Sequence, residues 1–417
     1  MAKYDEIQVD QRLPFLQSLP LSFQHLFAMF GSTVLVPIIF GVNAATILLM
    51  NGIGTLLYIF ITKGKIPAYL GSSFAFIAPV TLVIDKFGYG YALGGFLAVG
   101  IILTLVGLLV KLVGTRWIDI LFPPAAMGAI VAVIGLELVP VAAGQAGLTG
   151  ESINATTVTV SLLTLGITII GWVTFRGFFK IIPILIGFVG GYIIAYFFGL
   201  VDLTPVKEAD WIAIPELHTM QFSWSAILII IPAALVLIPE HIGHLFVTSN
   251  IVKKDLAKDP GLDRSFIGNG ISTILSSFVG STPNTTYGEN IGVLAITRVY
   301  STWIIGGAAV LSILLSFVGK LAALINSIPV PVLGGISLLL FGIIAASGIR
   351  MLVEANVDYN KSQNLILTCV ILVIGISGAS ISIGEVTLAG MGLATVVGIL
   401  LSVLFKLFDI LKLSNES

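Results

Sequence analysis

The chain is a succession of apolar segments separated by short polar connections, and this pattern restricts its fold more than any other feature. A helix that crosses a bilayer needs roughly 20 consecutive apolar residues. Of the 417 residues, 57% are hydrophobic and 10% are charged, whereas soluble domains carry about 25% charged residues. The sequence therefore predicts a polytopic membrane protein.

Charge and cysteine content exclude several other classes. The net charge is -1, so no basic stripe is present to neutralise the phosphates of a nucleic acid. The single cysteine, Cys369, lies in an apolar run and cannot form an intrachain disulfide. Residues 1–20 are polar with mixed charges, so a cleavable signal peptide is not predicted.

Fourteen membrane-crossing segments, called spans 1–14 in chain order, are predicted from the apolar runs. They cover residues 21–40, 44–62, 67–84, 90–110, 118–140, 156–175, 178–200, 224–249, 264–280, 282–298, 302–325, 329–348, 363–379 and 387–409. With the amino terminus in the cytoplasm, all of the 20 Lys and Arg residues except Lys86, Lys207 and Lys320 fall on the cytoplasmic side. The positive-inside rule thus predicts a multi-pass protein of the cell (inner) membrane with both termini in the cytoplasm.

A weak internal repeat agrees with this count. Three pairs of short motifs match: Gln24-His25 with Glu240-His241, Gly71-Ser72-Ser73 with Gly280-Ser281-Thr282, and Phe122-Pro123 with Ile328-Pro329. They pair spans 1, 3 and 5 with spans 8, 10 and 12, a shift of seven. Because seven is odd, the two halves are predicted to have opposite orientations, as in the inverted repeats of many secondary transporters.

Spans 3 and 10 are both interrupted by small, polar residues where an apolar helix is expected. The interruptions cover residues 67–75, which include Ser72 and Ser73, and residues 282–289. Each is predicted to run as a short extended strand to the middle of the membrane and then to start a half-helix. The two half-helices would present free backbone N–H groups and positive dipole ends to a shared cavity, with Phe74 and Gly288 as donors.

Among the ionisable residues in the predicted membrane interior, Glu240, His244 and Glu289 are the candidates for a site. Glu240 and His244 are four residues apart, which places them on one face of span 8, and Glu289 lies in span 10. Such groups cost about 2.5–3.5 kcal/mol each near the bilayer centre, so they indicate a functional site. A structural polar cluster is the alternative. The order Glu-His-x-x-His differs from the zinc motif His-Glu-x-x-His, so neither a metal nor a cofactor is predicted.

This inventory favours a neutral, planar ligand. The carboxylates of Glu240 and Glu289 accept hydrogen bonds, while the two helix N-termini donate them. An anion would be repelled by the carboxylates, whereas a ring with both N–H and C=O groups on its edge would satisfy donors and acceptors. Phe74 and Tyr287 can cover the faces of such a ring.

The motif Glu289-Asn290-x-Gly292-(x)4-Thr297-Arg298 resembles the signature of the nucleobase/ascorbate transporter family, and Gln24-His25 resembles its paired motif. The resemblance extends over almost the whole chain. It implies an all-α fold of fourteen helices, uracil/proton symport by alternating access, and a homodimer. It also implies the following division: cytoplasmic ends at 1–20 and 410–417, a core domain at 21–112 and 224–325, and a gate domain at 113–223 and 326–409.

The resemblance also implies roles for individual residues. Glu240 and Glu289 would accept from the ring N–H groups of uracil, and the amides of Phe74 and Gly288 would donate to its carbonyls. His244, with Glu240 and Glu289, would hold the coupled proton. Five further residues would wall or support the pocket: Tyr287, Asn290, His25, Ser72 and Ser73.

Several other functions remain open at this stage. A symporter for a related nucleobase, such as xanthine or another pyrimidine or purine, has the same signature. An anion carrier of the same architecture is disfavoured by the two carboxylates. A membrane-embedded hydrolase using Glu240 and His244, and a purely structural subunit, are further alternatives. The sequence favours a transporter over an enzyme.

Overall fold

The computed structural model describes residues 6–150, 153–384 and 386–414 and is mostly helical. Its helices are α1 Phe15–Ala28, α2 Phe30–Phe40, α3 Ala44–Ile61, α4 Ile77–Phe87, α5 Tyr89–Val113, α6 Arg116–Leu121, α7 Pro124–Glu137, α8 Val139–Gln145, α9 Ala155–Thr174, α10 Pro183–Phe197, α11 Thr204–Glu208, α12 Trp224–Val252, α13 Leu262–Val279, α14 Gly288–Thr297, α15 Thr302–Ser316, α16 Gly319–Asn326, α17 Val330–Glu354, α18 Ser362–Ile376 and α19 Gly390–Ile410. Four strands complete it: β1 Leu70–Ser72, β2 Asn284–Thr286, β3 Ser380–Ile383 and β4 Val386–Ala389.

Length and apolar composition mark most of the long helices as membrane-crossing. In the described part of the chain, eight helical stretches are long and apolar enough to cross a membrane, and three shorter apolar helices accompany them: α10, α15 and α18. The prediction of a polytopic, mostly helical membrane protein is confirmed.

Local sequence sets many helix boundaries. The side chains of Asn43 and Asn154 accept hydrogen bonds from backbone N–H groups in the first turns of α3 and α9, as N-cap residues do. Pro124 is the first residue of α7, where its missing N–H costs nothing. Gly41 ends α2 with a φ of 67°, the left-handed conformation that favours glycine.

Some predicted boundaries are wrong. The first helix begins at Phe15 rather than at residue 21, directly after Pro14. The segment predicted at 302–325 is divided into α15 and α16, because Val318 is extended and forms an isolated bridge with Ile212. Similarly, a 3-10 turn at Gly177–Ile181 precedes α10.

Strands β1 and β2 pair antiparallel inside the protein, with Leu70 opposite Thr286 and Ser72 opposite Asn284. The two predicted interruptions are therefore present as short strands. After β1, a 3-10 turn at Phe74–Phe76 leads into α4. After β2, α14 starts at Gly288. Because the strands run in opposite directions side by side, both half-helices start close to the strand pair and leave it on opposite sides.

Buried side chains from neighbouring helices hold this strand pair. The hydroxyl of Thr55 in α3 accepts the N–H of Leu70 at 2.9 Å. The backbone N–H of Asn284 donates to the hydroxyl of Thr273 in α13 at 3.2 Å, and the side-chain amide of Asn284 donates to the hydroxyl of Ser272 at 2.7 Å. Irregular backbone at membrane depth is tolerated where protein surrounds it and supplies such partners.

The long helices pack in two groups. In the first group, α5 lies along α13, and α3 packs against α13 and α15. The strand pair, which packs against α3 and α13, and the half-helices that follow its strands also belong to this group. In the second group, α17 packs against α7 and α9, α18 against α7 and α19, and α10 against α9. Gly187 and Gly191 of α10 face the threonines of α9, so this pair of small residues serves packing within the chain. Helix α12 contacts both groups through α5, α7 and α19.

A second pair of strands, which forms a β-hairpin, was not predicted. Strands β3 and β4 pair antiparallel, with Ser380 opposite Ala389. Residues 387–389, predicted to begin span 14, therefore belong to a strand, and α19 begins at Gly390. The alternation of Ser and Ile in 380–383 and the β-branched residues Val386 and Thr387 favour extended structure. The expectation of an all-α fold outside spans 3 and 10 is corrected accordingly.

The strand pair leaves no space for a side chain at Gly71. A Cβ atom there would overlap the ring of Tyr287. We expect Gly71→Ala to destabilise the protein by about 1–3 kcal/mol through overpacking, measured as a lower unfolding temperature in detergent. Gly166→Ala in α9 is the matched control, because no atom lies within 4 Å of its added Cβ. Equal unfolding temperatures for the two variants would contradict this account.

Candidate functional site

A cavity of about 310 Å³ adjoins the strand pair and lies between the two groups of helices. From the first group it is lined by Ser72, Ser73, Phe74, Thr286, Tyr287, Gly288 and Glu289, and from α12 by Glu240 and His244. From the second group it is lined by Val131, Ile134, Ile343, Ser347 and Arg350. The structure thus brings together eight of the ten residues that the sequence singled out, all except His25 and Asn290.

The starts of the two half-helices face this cavity. Phe74 and Gly288 are the first residues of the 3-10 turn and of α14, so their amide N–H groups have no acceptor inside their own helices. The hydroxyl of Ser73 caps the first of these starts by accepting the N–H of Ala75 at 3.3 Å. Free amides and the positive ends of helix dipoles together form a donor surface.

Helix α12 places a carboxyl group and an imidazole in the same cavity. Glu240 and His244, one turn apart, both line it. Within the described residues, Oε2 of Glu240 is buried and has no hydrogen-bond partner. His244 Nδ1 lies 3.1 Å from the hydroxyl of Thr286 in β2. His241 points away, as its position on the helix predicts, and its Nε2 lies 2.8 Å from the hydroxyl of Ser265.

Glu289 lies in the first turn of α14, next to the free amides of that helix. A carboxylate is stabilised at this end of a helix dipole. Since Glu240 and Glu289 line one cavity, two acceptor groups and two sets of donor amides converge on the same space. This arrangement suits a ligand with both N–H and C=O groups.

Two aromatic residues form walls of the cavity. Tyr287 is 3% exposed, and its hydroxyl donates to the carbonyl of Ser72 at 3.1 Å, which ties the end of β2 to β1. The ring of Phe74 meets the edge of Phe341 in α17 with a centroid distance of 5.9 Å. The Tyr287–Ser72 contact thus lies within the first group of helices, and the Phe74–Phe341 contact joins the first group to the second.

Asn290 and His25 lie outside the cavity lining and contact each other. Nδ2 of Asn290 donates to the carbonyl of His25 at 3.1 Å and lies 3.2 Å from its Nδ1. Both side chains are buried. The pair connects α14 to α1, which is a supporting position rather than a position in contact with a ligand.

Sequence reasoning missed the basic end of the cavity. Lys180 and Arg350 line it together with Trp172 and Ser347. The charge pattern assigned both basic residues to the cytoplasmic side, but it gave no sign that they share a cavity with Glu240. Within the described ranges, no group of three or more His, Cys, Asp or Glu side chains is placed to hold a metal ion.

Comparison with known proteins identifies close relatives. The model of the Permease family matches residues 16–384. A protein of Paenibacillus larvae named "Uracil permease" is 66% identical over 98% of this chain and 99% of its own length. A protein of Escherichia coli K12 with the same name is 64% identical over 97% of this chain and 95% of its own length. A third, from Bacillus subtilis, is 48% identical over 92% and 91%.

Solved structures with the same fold are more distant. The transmembrane domain of the cyanobacterial bicarbonate transporter BicA gives a TM-score of 0.61 at 16% identity and covers 96% of this chain and 99% of its own. The murine Slc26a9 anion transporter, solved in the inward-facing state, gives 0.72 at 12% identity and covers 98% and 70%. At such identities the likeness concerns the fold and not the substrate.

Replacing Tyr287 by Phe removes its hydrogen bond to Ser72 and keeps the aromatic ring. We expect Tyr287→Phe to lower stability by about 0.5–1.5 kcal/mol, the net value of one such bond, and to lower the unfolding temperature in detergent. Tyr196→Phe is the control, because Tyr196 is 53% exposed. If both variants unfold at the wild-type temperature, the bond does not stabilise the strand pair.

Proposed function

Because the chain belongs to the Permease family, the nucleobase/ascorbate transporters whose signature it resembles, we propose that it carries uracil across the membrane together with protons. Membership of this family makes it a transporter and not an enzyme. The names of the relatives that are 64–66% identical over nearly the full length support uracil as substrate. The observation that carries the proposal is the meeting of Glu240, Glu289 and two free helix starts in one cavity.

Recognition follows from the complementarity of donors and acceptors. Glu240 and Glu289 accept from the ring N–H groups of uracil, and the amides of Phe74 and Gly288 donate to its carbonyls. Tyr287 and Phe74 cover the ring. Cytosine has a ring lone pair where uracil has N3–H, so it would place one acceptor against another, and a hydrogen-bonding site can reject such a mismatch by as much as about 10⁴.

An anion is the less suitable substrate despite the fold. The two proteins of similar fold are named as a bicarbonate transporter and an anion transporter. Here two carboxyl groups line the cavity beside the helix starts, and an anion bound there would be repelled by them. A related nucleobase, such as xanthine, would meet the same donors and acceptors and is the second candidate.

We further propose that the two groups of helices are a core domain, residues 21–112 and 224–325, and a gate domain, residues 113–223 and 326–409. The packing of α5 with α13 and of α17 with α7 supports this division. The cavity lies between them and extends toward Lys180 and Arg350. In this proposal the basic side is cytoplasmic, so the conformation is inward-facing and uracil is released there.

The proposal includes fourteen crossings in two inverted halves of seven. Antiparallel pairing of β1 with β2 supports it, because a two-fold axis in the membrane plane relates strands in this way. The protein would lie in the inner membrane of the cell, with both termini in the cytoplasm. A homodimer, which the family resemblance implies, is part of the same proposal.

A proton bound in this cavity would reduce the repulsion between the two carboxylates. Two ionised carboxylates in a low-dielectric space repel each other and resist closure of the site. A proton bound by Glu289, or shared by Glu240 and His244, removes one charge and allows the occupied site to close. Uracil movement is thereby tied to the proton gradient.

Uracil binding tests the proposed substrate. We expect uracil, but neither cytosine nor sulfate, to raise the unfolding temperature of the purified protein. Glu240→Gln removes a charged acceptor worth about 1.5–3 kcal/mol, so its Kd for uracil rises about 10- to 100-fold. Glu354→Gln, at the end of α17, is the control. Stabilisation by sulfate would favour the anion carrier, and stabilisation by xanthine alone would favour the second candidate.

Proton coupling is tested in proteoliposomes with radiolabelled uracil at saturating concentration. We expect Glu289→Gln to lose accumulation driven by a pH gradient while it retains uracil exchange without a gradient, because its side chain cannot take up and release a proton. In proteoliposomes that contain the wild-type protein, the radiolabel taken up should be recovered as unchanged uracil. Normal gradient-driven accumulation by Glu289→Gln would exclude Glu289 as the carrier and leave Glu240 with His244.

A further inference from the structure

Residues 6–12, here called the amino-terminal strap, pair with the connection between α14 and α15. The N–H of Ile7 donates to the carbonyl of Arg298 at 3.0 Å, and the N–H of Tyr300 donates to the carbonyl of Ile7 at 2.8 Å. The N–H of Thr302 donates to the carbonyl of Val9 at 3.0 Å. Val9 is 3% exposed and belongs to the hydrophobic core. The strap is therefore an integral part of the fold.

The same strap contacts the end of α12. Oε1 of Glu6 accepts from Nζ of Lys253 at 2.7 Å. This hydrogen bond holds the pKa of Glu6 below its usual value, so its carboxylate is ionised at neutral pH. Lys253 ends α12 and Arg298 ends α14, and each has a φ of 57°. Left-handed conformations of non-glycine residues are strained and persist where the surroundings enforce them.

Helix α14 needs such an anchor. It has ten residues, and helices this short are marginal in isolation. One of its faces lines the cavity, through Gly288, Glu289, Gly292, Val293 and Ile296, so part of that face is open to the cavity instead of being packed against protein. Its start is held by β2, and its other end is held by the strap. At about 1.5 Å per residue, Arg298 lies only about 13 Å along the axis from Glu289.

We propose that the amino-terminal strap is a positioning element for the substrate site. It joins the ends of the two helices that carry Glu240 and Glu289 and thereby sets the spacing between the two carboxyl groups. The ligand assignment in this inference rests on the proposed function. Release of the strap would let the end of α14 move and would displace Glu289 from the geometry in which both carboxyl groups reach one ring.

The test removes one N–H and keeps the rest of the strap. Ile7→Pro has no N–H to donate to Arg298, while Ile7→Ala loses a comparable part of the side chain and keeps the N–H. Loss of a hydrogen bond worth about 1 kcal/mol corresponds to a change of about fivefold. We expect the Kd for uracil to rise about fivefold in Ile7→Pro relative to Ile7→Ala.

A distance measurement tests the strap independently of the ligand. Spin labels are placed at Asn250 in α12 and Ala295 in α14, both exposed, in a Cys369→Ser background. We expect the distance distribution to broaden in Ile7→Pro and to remain narrow in Ile7→Ala. If wild-type protein fails to bind uracil, the proposed function fails, and the distance distribution still decides the role of the strap.

Charge reversal provides a rescue. Glu6→Lys should raise the Kd and broaden the distribution, and Glu6→Lys with Lys253→Glu should restore both. Asp259→Asn is the matched control, because the ion pair of Asp259 with Lys65 lies outside the strap. The inference is overturned if Ile7→Pro lowers the unfolding temperature but leaves the Kd and the distance distribution at the values of Ile7→Ala, since the strap would then only stabilise the fold.

Discussion

The pairing of β1 with β2 is the interaction on which the site depends. An unpaired backbone group in the hydrocarbon region costs several kcal/mol, so a helix can begin in mid-membrane only if the chain that leads to it is hydrogen-bonded. Each strand supplies partners for the other, and the hydroxyls of Thr55 and Thr273 accept further backbone N–H groups of the strands. The pairing therefore allows two half-helices to start beside one cavity, and their free amides become available to a ligand.

Helix starts and carboxyl groups together limit which ligands suit this cavity. Backbone amides at a helix start donate hydrogen bonds, and the positive end of the helix dipole favours negative charge. Glu240 and Glu289 line the same cavity as the two helix starts. In the proposed function these carboxyl groups offset the positive helix ends and favour a neutral ring with N–H groups over an anion.

The sequence predicts what depends on local pattern and misses what depends on distant contacts. The apolar runs, the interruptions of spans 3 and 10, and the shared face of Glu240 and His244 follow from composition, glycine and proline content, and helical spacing. The β3–β4 hairpin lies at the connection between predicted spans 13 and 14, where the residue pattern favours extended structure but does not show which strands pair. The strap depends on a hydrogen bond between Ile7 and Arg298, which are far apart in the chain, so no local pattern predicts it. The count of basic residues assigns Arg350 to one side of the membrane but does not show which cavity it lines.

The distribution of the site between the two groups of helices indicates how it can open. Both carboxyl groups, both helix starts and the strand pair belong to the proposed core domain, to which the strap is hydrogen-bonded, whereas Phe341 and Val131 belong to the proposed gate domain. A movement of one domain against the other would therefore replace one wall and leave the hydrogen-bonding groups in place. Alternating access requires this separation, because a substrate can be exposed to each side in turn only if its binding groups stay together while the barrier changes sides.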